Sequence, residues 1–407
     1  MKLKGLVLGA AAGAIAVTGA QAADLPVVEP VDYVRICDAY GSGFYFIPGT
    51  ETCLRVAGRV RVDYQFFGDL QENFEILGTR GYDDDTDRGY RFRARAYLYM
   101  DSRTNTEFGL LRTFTELQAQ MQDGVSNTTV EVERAFIQFG GLTFGNTRSF
   151  YDFSDAYYGS FFFFVPNVSD NHTMVAAYTA AFGNGFSASI SIEDSIRRTA
   201  LPIVPGGQPA PLVTARPAWV PDVVGNIRVD QGWGSAQLMG MIGYREIGVS
   251  NVNGDFAQSD ADVAFAIGGG VNVNVPFGNG TSVGIQGTYA RNAVLYADAG
   301  IGGFIGDGFY NVVTNNLSAT DAFSVHGGVS TSFTPNISGT LGAGYTYADN
   351  NTVTVNKLDI DGFIGYSPVA GFVLGAGLQY EYVEQEIGAA TGSGGALAGF
   401  LRAQRTF

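Results

Sequence analysis

A strict alternation of apolar and polar residues recurs along the chain from Cys53 onward, and it constrains the fold more than any other feature of the sequence. Between positions 54 and 66, the even-numbered residues are apolar or glycine, whereas the odd-numbered ones include Arg55, Arg59 and Arg61. Successive side chains of a β-strand point to opposite faces of its sheet. Each such stretch therefore predicts a strand with one apolar and one polar face.

Stretches of this kind predict sixteen strands, joined by connections that are alternately short and long. The predicted strands cover residues 53–67, 88–102, 105–117, 130–140, 142–148, 173–182, 186–193, 222–230, 233–247, 260–276, 281–296, 321–334, 337–349, 356–367, 371–387 and 397–407. The long connections are predicted at 68–87, 118–129, 149–172, 194–221, 248–259, 297–320, 350–355 and 388–396. Gly, Asn and Pro in the short connections suit tight hairpin turns.

An even number of antiparallel strands, with tight turns at one end and long loops at the other, is typical of a transmembrane barrel. A soluble sandwich or propeller is the alternative. Strands of about ten to seventeen residues are, however, long enough to cross a bilayer at a steep tilt, and only 15% of the residues are charged. The sequence therefore predicts an all-β, 16-stranded antiparallel transmembrane β-barrel with short periplasmic turns and long external loops.

The first 22 residues have the pattern of a secretory signal peptide. Lys2 and Lys4 precede an apolar stretch rich in Ala and Gly, and Ala20 and Ala22 supply the small residues of a cleavage site. We therefore expect three parts: a signal peptide at 1–22, an N-terminal segment on the periplasmic side at 23–52, and the barrel at 53–407.

Export would place Cys37 and Cys53, the two cysteines of the chain, in an oxidising compartment. Glycines and a proline between them make the segment flexible enough to close a loop. We therefore expect a structural disulfide that ties the N-terminal segment to the start of the barrel. A metal site would need more partners, and the chain has only two histidines. We expect neither a metal nor another cofactor.

The charge and the histidines argue against two function classes. A net charge of −15 argues against a nucleic-acid partner, because such proteins present basic surfaces to phosphates. A barrel enzyme would need a nucleophile and a base on neighbouring strands. His172 lies in or beside a predicted loop, and no partner for His326 is evident in the sequence, so we expect no enzymatic activity.

Three stretches of the chain resemble a known family. They are VDYVRIC at 31–37 with GSGFYFIPGTETCLRVAGR at 41–59, RAFIQFGGLTFGNTRSFYDF at 134–153, and GFLRAQRTF at 399–407. Together they resemble the major outer-membrane porins of alphaproteobacteria, of the rhizobial and brucella type. The resemblance implies a homotrimer in the outer membrane, in contact with lipids and lipopolysaccharide. Phe407, an aromatic residue at the C-terminus, is the expected assembly signal.

In that family the third long loop folds into the barrel and narrows it, and here this loop corresponds to 149–172. We expect Tyr151, Asp152, Asp155 and Tyr157 at the pore constriction. The parity of their positions, meaning whether a residue number is odd or even within its strand, places six arginines on the polar, lumenal faces of the first two strands. They are Arg55, Arg59, Arg61, Arg91, Arg93 and Arg95. Aspartates that face arginines across a pore create a transverse field. The alternative is that these arginines are merely solvated or bind loop carbonyls.

The predicted function is a general diffusion porin, a passive water-filled channel for small hydrophilic solutes and ions. The alternatives are a substrate-selective outer-membrane channel and a surface adhesin or structural barrel. A selective channel would carry a row of aromatic residues along its lumen, and parity places only Tyr97 and Tyr99 there. The negative net charge and an acidic first long loop favour cations at the mouth, whereas the arginines favour anions at the waist, and we predict a weak cation preference.

Overall fold

The computed structural model describes residues 35–69, 89–122, 128–156, 167–201, 212–217, 220–250, 256–276 and 278–407. The expected signal peptide at 1–22, Tyr157, and most of the acidic first loop lie outside these ranges. Within them, no helix is both long enough and apolar enough to span a membrane.

Sixteen strands form one antiparallel sheet whose first and last strands pair, so the sheet closes into a barrel. In chain order the strands are β1 Cys53–Asp69, β2 Tyr90–Thr106, β3 Gly109–Gln122, β4 Thr129–Phe139, β5 Leu142–Arg148, β6 His172–Gly183, β7 Phe186–Glu193, β8 Asp222–Gln231, β9 Gly234–Ser250, β10 Phe256–Asn274, β11 Asn279–Arg291, β12 Asp321–Thr334, β13 Ile337–Asp349, β14 Val353–Val369, β15 Phe372–Ile387 and β16 Ala390–Thr406. Short strands at Tyr45–Phe46 and Leu212–Pro217 extend this sheet beside β1 and β9. The predicted 16-stranded antiparallel barrel is confirmed.

The polarity of the barrel is the reverse of that of a soluble protein. On β1 the outward-facing Val62 is 44% exposed, whereas its neighbour Asp63 is 1% exposed and faces the interior. The same alternation continues on β2, where Phe92 is exposed and Arg93 is buried. Apolar side chains that face outwards and polar ones that face a lumen are the pattern of a barrel in a bilayer.

The connections follow the predicted short and long pattern, with two corrections. We call the end that carries the hairpin turns the turn end and the opposite end the loop end, and we number the connections at the loop end L1 to L8. L3 covers 149–171, L4 covers 194–221 and L6 covers 292–320. L7 at 350–352 and L8 at 388–389 are tight turns rather than the long loops predicted at 350–355 and 388–396. The strands around them extend further than the sequence pattern indicated.

One predicted strand is shorter than expected and one is longer. The stretch predicted at 281–296 ends at Arg291, because Asn292 adopts a positive φ and a short helix at Val294–Ala297 follows. The last strand begins at Ala390 rather than at 397. Its first residues are Ala, Thr, Gly and Ser, which give little apolar alternation but still pair with β15.

The N-terminal segment is tied to the turn end of the barrel by the predicted disulfide between Cys37 and Cys53, which is confirmed. Phe44 is buried beside this disulfide. The guanidinium groups of Arg55 and Arg103 lie 5.2 and 4.9 Å from the centre of its ring. The segment thus packs against the inner rim at the turn end.

The barrel closes through its last residues. The backbone N–H of Phe407 donates to the carbonyl of Gly58 at 2.9 Å, and Gly58 donates back to Phe407 at 2.8 Å. A Cβ atom at position 58 would lie 2.5 Å from the Phe407 ring, so a larger residue there would displace this ring. Further along the seam, Arg402 of β16 donates to Asp63 of β1 at 2.7 Å.

Candidate functional site in the barrel lumen

Part of the lumen is filled by loops that fold inward from the loop end. The first residues of L3 lie on the inner wall, where Asn226 of β8 donates to the carbonyl of Phe150 at 2.6 Å. Tyr151 of L3 packs edge-to-face on Tyr296 of L6, with ring centres 4.9 Å apart. These side chains join one buried apolar cluster with residues of L4 and of β8 to β15. L3, L4 and L6 therefore form a common core inside the barrel.

Asp152 of L3 lies inside this core rather than in the open lumen. Its carboxylate forms a buried ion pair with Arg198 of L4, at 2.8 Å. It also accepts hydrogen bonds from the backbone N–H of Asn171, at 2.8 Å, and from the hydroxyl of Ser169. Because its charge is matched by Arg198, Asp152 is placed to fasten L3 to L4.

Asp155 is held against the wall on its own side of the lumen. It pairs with Arg228 of β8 and accepts a hydrogen bond from the hydroxyl of Ser235 of β9, at 2.6 Å. Arg228 also pairs with Asp230. Neither Asp152 nor Asp155 is thus an unpaired negative charge, which differs from the sequence expectation that both face the arginines across the pore.

The arginines of the first two strands form one wall with Arg402 of β16. At its centre the carboxylate of Asp63 is surrounded by three guanidinium groups, those of Arg93 at 3.1 Å, Arg61 at 3.3 Å and Arg402 at 2.7 Å. One carboxylate cannot neutralise three cations, so this cluster, which we call the Asp63 cluster, carries a net positive charge.

The other four predicted arginines have different surroundings. Arg55 lies at the turn end beside Phe44. Arg91 donates to Gln65 at 2.7 Å, and Arg95 donates to Gln120 at 2.8 Å. Arg59 stacks on the ring of Tyr97, with its guanidinium carbon 4.0 Å from the ring centre. All six predicted arginines therefore belong to the same stretch of wall, and they are spread from the turn end towards the loop end.

A row of aromatic rings continues along the lumenal face of β2, β3 and β4. Tyr97 stacks on Tyr99 with ring centres 6.2 Å apart, and Tyr99 on Phe114 at 6.4 Å. Phe114 stacks in turn on Phe136 at 5.3 Å. Sequence reasoning identified only the two tyrosines, because the register that brings rings of three strands together is not evident from one strand at a time.

A buried ion cluster, which we call the Arg245 cluster, fastens L6 and L4 to the wall. Arg245 of β9 makes a two-pronged ion pair with Asp222 of β8, with both N···O distances 2.8 Å, and its Nε lies 3.4 Å from Asp307 of L6. Asp307 accepts from the backbone N–H groups of Ala200 and Val294, each at 3.0 Å. Strand parity alone would place Arg245 and Asp222 in the lumen, whereas Asp307 has no sequence signal.

A second buried cluster, which we call the Lys357 cluster, fastens the far end of L3. The ammonium group of Lys357 on β14 lies 3.0 and 3.1 Å from the two carboxylate oxygens of Asp298 in L6. Asn167 of L3 donates to Asp298 at 3.1 Å and to Thr346 at 2.7 Å. A Cβ atom at Gly344 would clash with Asn167, so this glycine makes room for the loop. Both ends of the described part of L3 are therefore anchored.

The Arg245 cluster should make stability depend on pH. Burial raises the pKa of Asp307 to about 7, and Arg245 opposes this only in part. The folded protein thus keeps a proton that the unfolded chain loses above the ordinary value of 3.8. This group therefore lowers the free energy of unfolding as pH rises from about 4 to about 7, by on the order of a few kcal/mol.

We expect Asp307→Asn to make the free energy of unfolding less dependent on pH. The measurement is unfolding by guanidinium chloride in detergent micelles at pH 5 and pH 8. Asp230→Asn, which changes an exposed carboxylate, is the matched control and should keep the wild-type slope. Equal slopes for wild type and Asp307→Asn would contradict the prediction.

Comparison with known proteins identifies the family. A sequence model of the porin subfamily matches residues 24–397. The chain belongs to the porin family. Porin Omp2b of Brucella suis biovar 1 (strain 1330) is 32% identical over 423 aligned residues, and the alignment covers all of both chains. Porin Omp2b of Brucella abortus (strain 2308) matches equally well, at 32% over 423 residues. The resemblance to the brucella-type porins is confirmed.

Solved structures show the same fold. The outer membrane channel DcaP of Acinetobacter baumannii superposes on this porin with a TM-score of 0.66 at 16% identity, covering 89% of this chain and 99% of DcaP. The trimer form of OmpT of Vibrio cholerae gives 0.52 at 10% identity, covering 88% and 100%. Membership of the family makes this porin a multi-pass protein of the bacterial outer membrane and its barrel a diffusion channel.

Metal coordination finds no support within the ranges described. No group of three or more His, Cys, Asp or Glu side chains is arranged there to hold a metal ion.

Proposed function

We propose that small hydrophilic solutes and ions pass through this porin beside its arginine wall, while L3, L4 and L6 narrow the lumen from the other side. The observation that carries the proposal is the common buried core of the three loops. A 16-stranded barrel leaves an aqueous channel, so these loops would reduce its cross-section to a constriction. Tyr151, Asp152 and Asp155 act here mainly as anchors of L3.

The charge at the constriction favours anions in this proposal. Asp152 and Asp155 have arginine partners on their own side, whereas three arginines surround the single carboxylate of Asp63. This argues against the weak cation preference predicted from the sequence. The acidic residues of the first loop, on which that prediction depended in part, lie almost entirely outside the described residues.

We also propose that the first 22 residues direct export, that the protein assembles as a homotrimer among lipids and lipopolysaccharide, and that it has no enzymatic activity. The trimer form of OmpT supports self-association. The seam at Phe407 supports a role for this residue in assembly, because its backbone completes the closure of the barrel.

A second candidate function is a substrate-selective channel. The row of four stacked rings from Tyr97 to Phe136 favours it, since a selective channel needs a lumenal surface that contacts the solute. Three arginines lie over these rings, namely Arg59, Arg112 and Arg134.

The test is the reversal potential and single-channel conductance of the purified protein in a planar bilayer under a KCl gradient. We expect conductance steps in groups of three and a reversal potential on the anion side. Arg61→Gln should shift the potential towards cations, whereas Arg405→Gln, at the exposed turn end, should leave it unchanged. No conductance from correctly folded protein would refute the channel, and a cation-side potential would refute the proposed selectivity.

A further inference from the structure

The carboxylates of the arginine wall divide its cations into two groups. Asp101 pairs with Arg103 at 2.8 Å and with Arg112 at 2.9 Å, and Glu116 pairs with Arg134 at 2.6 Å. Within the described ranges, by contrast, no carboxylate lies within ion-pair distance of Arg59 or Arg95. Their close contacts are with neutral groups.

Arg59 and Arg95 converge on the same tyrosine. Arg59 lies over the face of the Tyr97 ring at 4.0 Å, and Arg95 donates to the Tyr97 hydroxyl at 3.1 Å. Gln120 accepts two further hydrogen bonds from Arg95 and thus fixes the orientation of its guanidinium group. The two cations are held in place around one ring, so little side-chain freedom remains to be lost when a ligand binds.

The neighbourhood adds positive charge to this pair. Arg61 is directly opposite Arg95 in the register of β1 and β2, and it belongs to the Asp63 cluster, in which three arginines share one carboxylate. Like charges directly opposite each other in a sheet repel. An anion bound between them would relieve the repulsion, and a planar guanidinium binds carboxylate or phosphate oxygens through two parallel hydrogen bonds.

We propose that Arg59 and Arg95, positioned by Tyr97, form a binding subsite for a doubly charged oxyanion on its way through the pore. The subsite rests on the proposed channel function and gives its solute class. Two cations that form no ion pair with a carboxylate of the described residues match two negative charges, so a monovalent anion would satisfy only half of the site. Dicarboxylates and phosphate share this chemistry.

Two measurements on the full-length protein folded in detergent or in a bilayer test the subsite. Isothermal titration calorimetry with succinate, with inorganic phosphate and with acetate measures binding without requiring conduction. Single-channel current in KCl, with the same anions added, measures block. We expect succinate or phosphate to bind and to block the current at concentrations where acetate does neither. The comparison of succinate with phosphate shows whether the subsite prefers dicarboxylates or phosphate.

Variants separate the subsite from the general charge of the lumen. Removing one charged hydrogen-bonding partner should weaken dianion binding about tenfold, so Arg59→Gln and Arg95→Gln should each raise the half-blocking concentration by that factor. Arg112→Gln removes the same charge from the same wall and leaves Asp101 paired with Arg103. It should change the half-blocking concentration less than about twofold.

Each contrary outcome has a distinct meaning. Equal effects of acetate and succinate, or equal loss of block in Arg112→Gln and Arg59→Gln, would overturn the subsite while leaving the channel intact. Succinate or phosphate binding in the calorimeter without any KCl conductance would instead overturn the proposed channel function and keep the subsite.

Discussion

Replacement of Arg245 by Met is expected to lower the free energy of unfolding by about 3–5 kcal/mol, because it leaves the carboxylate of Asp222 buried without its cation. The same change should release L6 and L4 from the wall. We therefore also expect larger and more variable single-channel conductance, measured together with guanidinium unfolding in detergent.

Two further variants test whether a buried carboxylate without a cation causes the loss of stability in Arg245→Met. Arg245→Met combined with Asp222→Asn removes the uncompensated carboxylate and should recover most of the lost stability. Arg291→Met breaks a half-exposed ion pair with Asp321 and should cost less than about 1 kcal/mol. An Arg245→Met protein as stable as Arg291→Met would contradict the proposed role of the Arg245 cluster.

Replacement of Lys357 by Met should have an effect of similar size at the other anchor of L3. Lys357 is the only lysine beyond position 4, and it is fully buried between Asp298 and Glu381. Removing it leaves the carboxylate of Asp298 buried without its cation, which should cost about 3–5 kcal/mol. Because Asn167 binds the same Asp298, the far end of L3 should loosen and the open-channel current should become noisier.

A matched control exists in the same loop. Arg148 pairs with Asp170 on the partly exposed rim, and Arg148→Met should cost less than about 1 kcal/mol without added current noise. Lys357→Met with Asp298→Asn should be more stable than Lys357→Met alone. Quiet, wild-type currents from a folded Lys357→Met protein would show that this cluster does not hold L3.

The barrel was largely predictable because each strand carries its own two-residue period. Strand number, antiparallel order and the outward apolar face all follow from that local pattern. The errors occurred where the pattern is weak. The stretch 390–396 consists mostly of small residues, and the turn at 350–352 lies among Asn and Thr residues that also occur in longer loops.

The lumenal site was predictable only on the strands. Parity placed Arg59 and Arg95 on the inner wall, and the structure brings them to one tyrosine. The alternation along the strands could not show that Asp152 would meet Arg198. Both residues lie in loops, 46 positions apart, and no periodicity links them. Pairing across such distances depends on how L3 and L4 fold inside the closed barrel.

The anchors of L3 also imply an order of events during biogenesis. Asn167 meets partners that lie 131 and 179 residues further along the chain, and Asp63 meets one 339 residues further. Contacts between segments so distant in sequence form late, because a long intervening chain must first be ordered. A nascent barrel that has received only its first twelve strands would lack Thr346 and Lys357. The far end of L3 would still lack its anchor, and the constriction would be complete only when the final strands are inserted and the barrel closes.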